Sequence, residues 1–171
     1  MVEELVLPAA LPAEGLGDDV IEIGPGPGFT TDILRTRAAQ VTAVELDSAL
    51  AENLATRLAG TNVDVVRGDA TALDLPTSRF TGAASFNMLH HVPTRAAQDR
   101  VFAELARVLQ PGGVLAVADA IPHDGPDAFH DGDTYNPIDP AALPERLAHA
   151  GFVAIDVRTY ELGWTCVAQA A

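Results

Sequence analysis

Val20-Ile21-Glu22-Ile23-Gly24-Pro25-Gly26-Pro27-Gly28 decides the fold: a short apolar run breaks into a turn in which glycine alternates with proline. Val20 to Ile23 reads as a strand, and residues 29–38 read as the helix that follows, with Thr30, Thr31 and Asp32 suited to its first turn. A strand, a Gly-x-Gly-x-Gly turn and a helix make a cofactor cradle, because glycine lets the backbone approach a ligand closely and accepts positive φ. Two residues narrow the ligand. A dinucleotide site wants a glycine at position 29 to bring helix and strand together around a pyrophosphate, and this chain has Phe29 there. Glu22, just before the first glycine, repels a pyrophosphate and attracts an ammonium or sulfonium.

Outward from the turn, apolar runs alternate with amphipathic stretches, the pattern of a parallel sheet covered by helices on both faces. Residues 41–45 make a second strand, followed by Asp47 or Ser48 as the cap of a helix through Leu58, which Gly60 ends. Residues 63–67 make a third strand, and Gly68-Asp69-Ala70 turns into a loop that reaches Pro76. Strand four is 80–86. After Asn87 to Pro93, a helix over 95–109 places Val101, Leu105, Val108 and Leu109 on one face and is stopped by Pro111-Gly112-Gly113. Val114 to Ala118 is the fifth strand. Residues 120–139, rich in Pro, Gly, Asp and His, form the longest irregular segment and read as a lid or acceptor loop. A helix over 140–149 leads to Gly151. Residues 152–160 and 164–170 are strands joined at Glu161-Leu162-Gly163, too close for a crossover helix, so they form an antiparallel hairpin. The expectation is an α/β fold in a single domain over residues 1–171, the first 19 residues making a short N-terminal cap.

Composition limits the function classes. The 171 residues are 48% apolar and 20% charged, with no run near the roughly 20 apolar residues a membrane span needs, so a soluble protein is expected. The first residues carry no basic region and no sustained apolar stretch, which makes the cytoplasm the default location. All ten basic residues are arginine, against 24 acids, for a net charge of −14. Such a surface repels a phosphate backbone and suits a cationic cofactor, so nucleic acid is a disfavoured partner. The single cysteine, Cys166, sits in an apolar stretch and excludes an internal disulfide or a thiolate metal cluster. No pattern assigns an oligomeric state.

Two more acids stand at strand ends. Glu45 lies 17 residues after Gly28, where a carboxylate accepts hydrogen bonds from ribose hydroxyls. Asp69 follows the third strand; taken alone it reads equally as the polar residue of a turn.

Together these segments resemble the class I S-adenosylmethionine-dependent methyltransferases over nearly all of the chain from Val20 onward. The first motif of that family is similar to residues 20–28, the second to Val41-Thr42-Ala43-Val44-Glu45-Leu46-Asp47, and the third to Gly68-Asp69-Ala70-Thr71-Ala72-Leu73-Asp74-Leu75-Pro76. The resemblance implies a Rossmann-like, seven-stranded, mostly parallel sheet of order 3-2-1-4-5-7-6. It implies that S-adenosylmethionine lies against Glu22, Gly24, Pro25, Gly26, Gly28 and Asn87, with Glu45 on the ribose and Leu46 on the adenine. Asp69 and the Ala70 backbone would take the adenine amino group. In-line attack on the sulfonium methyl would then give S-adenosylhomocysteine.

Ser85-Phe86-Asn87-Met88-Leu89-His90-His91-Val92 resembles the subgroup acting on small molecules, including the ubiquinone and menaquinone methyltransferases, so a small-molecule acceptor is expected. The Gly-Pro-Gly turn and Val-Glu-Leu-Asp strand also resemble ribosomal RNA adenine dimethylases. Those enzymes carry Asn- or Asp-Pro-Pro-aromatic where this chain has Asn87-Met88-Leu89-His90. His91, and secondly His90, follow the edge of the sheet where ligands bind and are candidates to orient cofactor or take an acceptor proton. His123, Asp124, His130, Asp131 and Asp133 have metal-ligand chemistry but unconvincing spacing, and no metal is expected. Tyr135 and Phe129 are candidates for an apolar acceptor pocket. Two other readings remain: a cofactor-binding subunit whose partner carries the acceptor site, and a nicotinamide enzyme, which would bind NAD more tightly than S-adenosylhomocysteine.

Overall fold

The computed structural model describes residues 11–121, 134–161 and 163–171. Seven strands make one sheet: β1 (Asp19–Ile23), β2 (Gln40–Glu45), β3 (Val63–Arg67), β4 (Phe80–Phe86), β5 (Leu109–Ala120), β6 (Phe152–Tyr160) and β7 (Gly163–Ala170). Their order is β3-β2-β1-β4-β5-β7-β6, as the resemblance implies. β1 pairs in parallel with β2 on one side and β4 on the other, and β7 pairs antiparallel with both β5 and β6. The central strands are buried along almost their whole length because helices cover both of their faces.

Alternate residues of the strands feed two cores. On one face Ile21, Ile23, Phe80, Leu115 and Val117 pack with α3 (Arg95–Val108) and α4 (Leu143–Ala150), whose Val101, Phe102, Leu105, Leu143 and Leu147 are fully enclosed. On the other, Val20, Val41, Ala43, Ala84 and Ala116 pack with α1 (Phe29–Leu34) and α2 (Ser48–Arg57) through Leu34 and Leu54. The period of two along a strand distributes one apolar run over both layers. Leu16 belongs to the second core, and its backbone passes so close to β4 that a Cβ on Gly82 would lie 2.2 Å from the Leu16 carbonyl oxygen.

Several element limits differ from the sequence reading. The first helix is six residues long rather than spanning 29–38, because its last turn tightens through the Thr36 amide to the Ile33 carbonyl and the chain must enter β2 at Gln40 beside Asp19. Asp47, not Ser48, caps α2, accepting from the Leu50 amide at 2.9 Å. The helix expected over 140–149 splits into a 3₁₀ turn, Pro140–Ala142, and α4; Pro144 has no amide proton to continue a helix from Pro140. β5 begins before the expected Val114, at Leu109 opposite Phe80, and its pairing with β4 resumes after a shift at Gly82 and Val114.

Candidate functional site

The C-terminal ends of β1, β2, β3 and β4 open on one cleft of about 1380 Å³. The position follows from the topology. β1 is the strand from which the sheet grows in both directions, and the loops leaving its end and that of β4 separate to opposite faces, leaving a crevice between them.

The glycine turn forms the floor. Gly24, Gly26 and Gly28 all adopt positive φ, at 65°, 54° and 87°. Their surroundings differ: a Cβ on Gly24 would meet the Met88 Cγ at 2.1 Å, whereas a Cβ on Gly26 would meet nothing within 4 Å and would stand in the cleft. Gly26 therefore presents bare backbone to whatever occupies the cleft, the cradle a cofactor of this kind requires.

Glu45 ends β2 with only 8% of its surface exposed. Its carboxylate accepts from the Gly26 amide and from the Asp47 amide, each at 3.0 Å, which fixes the glycine turn to the second strand. Leu46 and Phe29 stand beside it, exposed by 66% and 69%, an unusual position for large apolar side chains and a ready surface for a flat apolar ligand. Asp69 lines the same end, its Oδ1 accepting from the amide and hydroxyl of Thr71 at 2.8 Å. With Asp47, these acids give this end of the cleft a negative potential suited to a cationic ligand.

Glu22 occupies a different place. Neither it nor Gly28 is on the cleft wall. Glu22 is buried, its carboxylate accepting from the Thr30 hydroxyl and from the Thr31 hydroxyl at 2.5 Å. Burial pushes its carboxyl up to about 6, against the pull of the two hydroxyls and with a further rise from Asp32. The acid braces the start of α1 from behind the turn.

The opposite end of the cleft is built after β4. Asn87 adopts φ 51°, a left-handed conformation that asparagine tolerates better than most residues, and its amide bonds the Ala118 carbonyl at 2.9 Å. The chain then makes a 3₁₀ turn, Leu89–His91, that buries His90 and leaves His91 exposed. His91 lines the cleft with Met88, Val92 and Pro93. His90 is buried and bonds Asp119 at the end of β5 through its Nδ1, while its amide donates to the same carboxylate at 3.1 Å. The two imidazoles stay in contact, centroids 4.1 Å apart and planes tilted by 42°. Asn136 and Gln98 secure the turn: the Asn136 amide donates to the His90 carbonyl at 2.7 Å, and the Gln98 side chain donates to the Leu89 carbonyl at 3.0 Å.

Of the twelve residues that the sequence assigns to cofactor binding or proton transfer, nine line this cleft: Gly24, Pro25, Gly26, Glu45, Leu46, Asp69, Ala70, Asn87 and His91. Sequence reasoning passed over Asp119, although an acid closing the apolar run Val114 to Ala118 was a visible signal, and over Arg67 and Arg100, which also line the cleft. Tyr135 packs edge-on against His90, 5.8 Å between centroids, and is not on the cleft wall. Phe129 and the loop residues His123, Asp124, His130, Asp131 and Asp133 lie outside the described residues. Among the described residues no group of three or more His, Cys, Asp or Glu side chains is placed to hold a metal ion. No helix among them is long and apolar enough to cross a membrane.

Comparisons with known proteins agree with this geometry. Residues 21–117 match the model of a family described as a methyltransferase domain. The chain is 43% identical over 79 residues to a probable ribosomal RNA small subunit methyltransferase A of Methanopyrus kandleri, a match covering 44% of this chain and 28% of that protein. It is 33% identical over 99 residues to an uncharacterized methyltransferase of Mycobacterium tuberculosis, covering 57% of this chain and 48% of that one. The chain thus spans less than half the length of these curated relatives. In fold it is similar to an S-adenosylmethionine-dependent methyltransferase of Mesorhizobium loti, with TM-score 0.82 and 20% identity, covering 99% of this chain and 98% of that one.

Proposed function

The chain belongs to the methyltransferase-domain family of S-adenosylmethionine-dependent enzymes, and from that premise we propose that it transfers the sulfonium methyl to a small-molecule acceptor. The observation that carries the reading is the composition of the cleft. Acids gather at one end, over β2 and β3, while the end after β4 is mainly apolar, with Met88, Val92 and Val101. S-adenosylmethionine supplies an activated methyl group whose leaving group is a neutral thioether.

The protein's part is therefore alignment and exclusion of water, with a proton acceptor needed only when the acceptor atom loses a proton. Glu45 binds the ribose hydroxyls through the lone pairs its two backbone donors leave open. Leu46 and Phe29 cover the adenine, and Asp69 with the Ala70 backbone takes its amino group. Gly24, Pro25, Gly26 and Asn87 present backbone to the methionine portion, with Glu22 and Gly28 holding the turn from behind. His91 faces the acceptor and takes a proton where one is released; His90 is a positioning residue, held by Asp119.

An RNA adenine acceptor is the second reading, favoured by relatives named for ribosomal RNA methylation. The net charge of −14 and the absence of lysine oppose it, since RNA affinity comes largely from neutralised phosphates. Calorimetry with S-adenosylhomocysteine and tritium transfer from labelled cofactor test the proposal together. Transfer to low-molecular-weight fractions of a metabolite extract is expected; transfer to ribosomal RNA alone favours the second reading. Binding with no transfer to either points to a cofactor-binding subunit that needs a partner.

A further inference from the structure

We propose that the acceptor is a small organic acid whose carboxylate pairs with Arg100, an inference that rests on the small-molecule reading above. The protein has ten basic side chains, all arginine. Seven of them pair with a carboxylate: Arg35, Arg57, Arg79, Arg95, Arg107, Arg146 and Arg158. Among the described residues Arg37, Arg67 and Arg100 have no such partner, and two of these three line the cleft. In a chain with a net charge of −14, cations without acidic partners are scarce, and their gathering at the site is a specific placement.

The two cleft arginines have different surroundings. Arg67 is opposite Glu45 in the β2–β3 register and two residues from Asp69, so it belongs to the acidic end of the cleft. Arg100, on α3, lines the cleft together with Met88, His91, Val92, Pro93, Ala97 and Val101 from α3 and the segment after β4. None of these is an acid. The two carboxylates nearest to it along α3 are already engaged. Asp99 takes Arg146 at 2.6 Å, and Glu104 takes Arg107 together with the Leu73 amide, at 2.8 and 2.7 Å.

Among the described residues the cleft is thus unequal in charge: its acids, Glu45, Asp47 and Asp69, stand over β2 and β3, and on the α3 side its charged group is Arg100. Arg100 is exposed, so with a neutral acceptor its guanidinium stays hydrated and adds little to binding. An anionic acceptor gains charge-assisted, bidentate hydrogen bonds there, and the fork of the arginine fits the plane of a carboxylate. The same contact orients the acceptor, with the reacting atom toward the sulfur and the acid group toward α3.

Two arms test this. In the first, a metabolite extract is separated by anion exchange before the assay, so that the charge of the acceptor is read and not that of the product. Tritium transfer from labelled S-adenosylmethionine is then measured with the retained and unretained pools. Label is expected from the retained pool, surviving phosphatase treatment of that pool, with KM raised at least ten-fold in Arg100→Gln. Label from the unretained pool alone, loss of labelling on phosphatase treatment, or an unchanged KM overturns the proposal.

In the second arm, benzoate and benzamide are titrated into the protein saturated with S-adenosylhomocysteine. Benzoate is expected to bind at least ten-fold more tightly than benzamide, and Arg100→Gln to abolish that preference while leaving S-adenosylhomocysteine affinity unchanged. Equal binding of the two probes, or a preference that persists in the variant, overturns the anion site. This arm needs no turnover. Absence of transfer from both pools with the benzoate preference intact removes small-molecule transfer and leaves the arginine site standing, so the two failures are distinguishable.

Discussion

Glu45 Oε2 accepts a hydrogen bond from the Gly26 amide at 3.0 Å, joining the end of β2 to the centre of the glycine turn. One carboxylate thus shapes the floor of the cleft and forms part of its wall. Glu45→Ala is expected to weaken S-adenosylhomocysteine binding by about 1.5–3 kcal/mol, the range for hydrogen bonds to a charged group. Glu45→Gln, which retains an acceptor oxygen, is expected to lose less. Calorimetric titration of the three proteins measures the order, and unchanged affinity in Glu45→Ala would remove the ribose assignment.

Gly24 and Gly26 both have positive φ, so alanine at either carries a backbone cost of about 1–2 kcal/mol. Their side-chain space separates them. Gly24→Ala drives its methyl group into Met88 and is expected to be the less stable variant in urea unfolding. Gly26→Ala has room for its methyl group, but that room is the cleft. It is expected to remain folded and to lose cofactor affinity at least ten-fold. The reverse order of stabilities would refute this account of the turn.

Burial holds the Glu22 carboxyl at about 6, above its ordinary 4.5, so the folded protein binds that proton more tightly than the unfolded chain does. Its contribution to stability is complete below the unfolded value and is lost as pH rises through about 6. The stability of Glu22→Gln relative to the parent is therefore expected to improve by about 1–2 kcal/mol between pH 5 and pH 7.5. Comparing the two proteins cancels the pH dependence of the other acids. A difference that does not change with pH would show that Glu22 does not titrate as a buried acid.

Asp119 serves both the His90 ring and the His90 amide, and its Oδ1 also accepts from the Ala120 amide at 2.7 Å. Asp119→Ala strands these buried donors and is expected to cost about 2–4 kcal/mol in urea unfolding, with Asp119→Asn closer to the parent. Methyl transfer is expected to fall in Asp119→Ala under conditions where the protein remains folded, because the turn carrying His91 loses its anchor. Full stability in Asp119→Ala would show that the 3₁₀ turn is held without Asp119.

The sequence by itself determined the fold class, the strand order through its family resemblance, and most of the residues that line the cleft over β1, β2 and β3. Those features are local. Glycine spacing sets the turn, the apolar periods set the elements, and Glu45 and Asp69 stand directly at strand ends. Only the tertiary structure decided which acids and histidines face the cleft. Glu22 is kept off the cleft wall by the hydroxyls of Thr30 and Thr31, which engage its carboxylate. His90 and His91 are neighbours in sequence, yet one is buried and the other exposed, and the partner that holds His90 inside lies 29 residues away. Arg100 looked like any exposed helical arginine until the packing of α3 placed it on the cleft wall, with Asp99 and Glu104 committed elsewhere. Such pairings join distant segments through competition for partners, which no local pattern in a single sequence records.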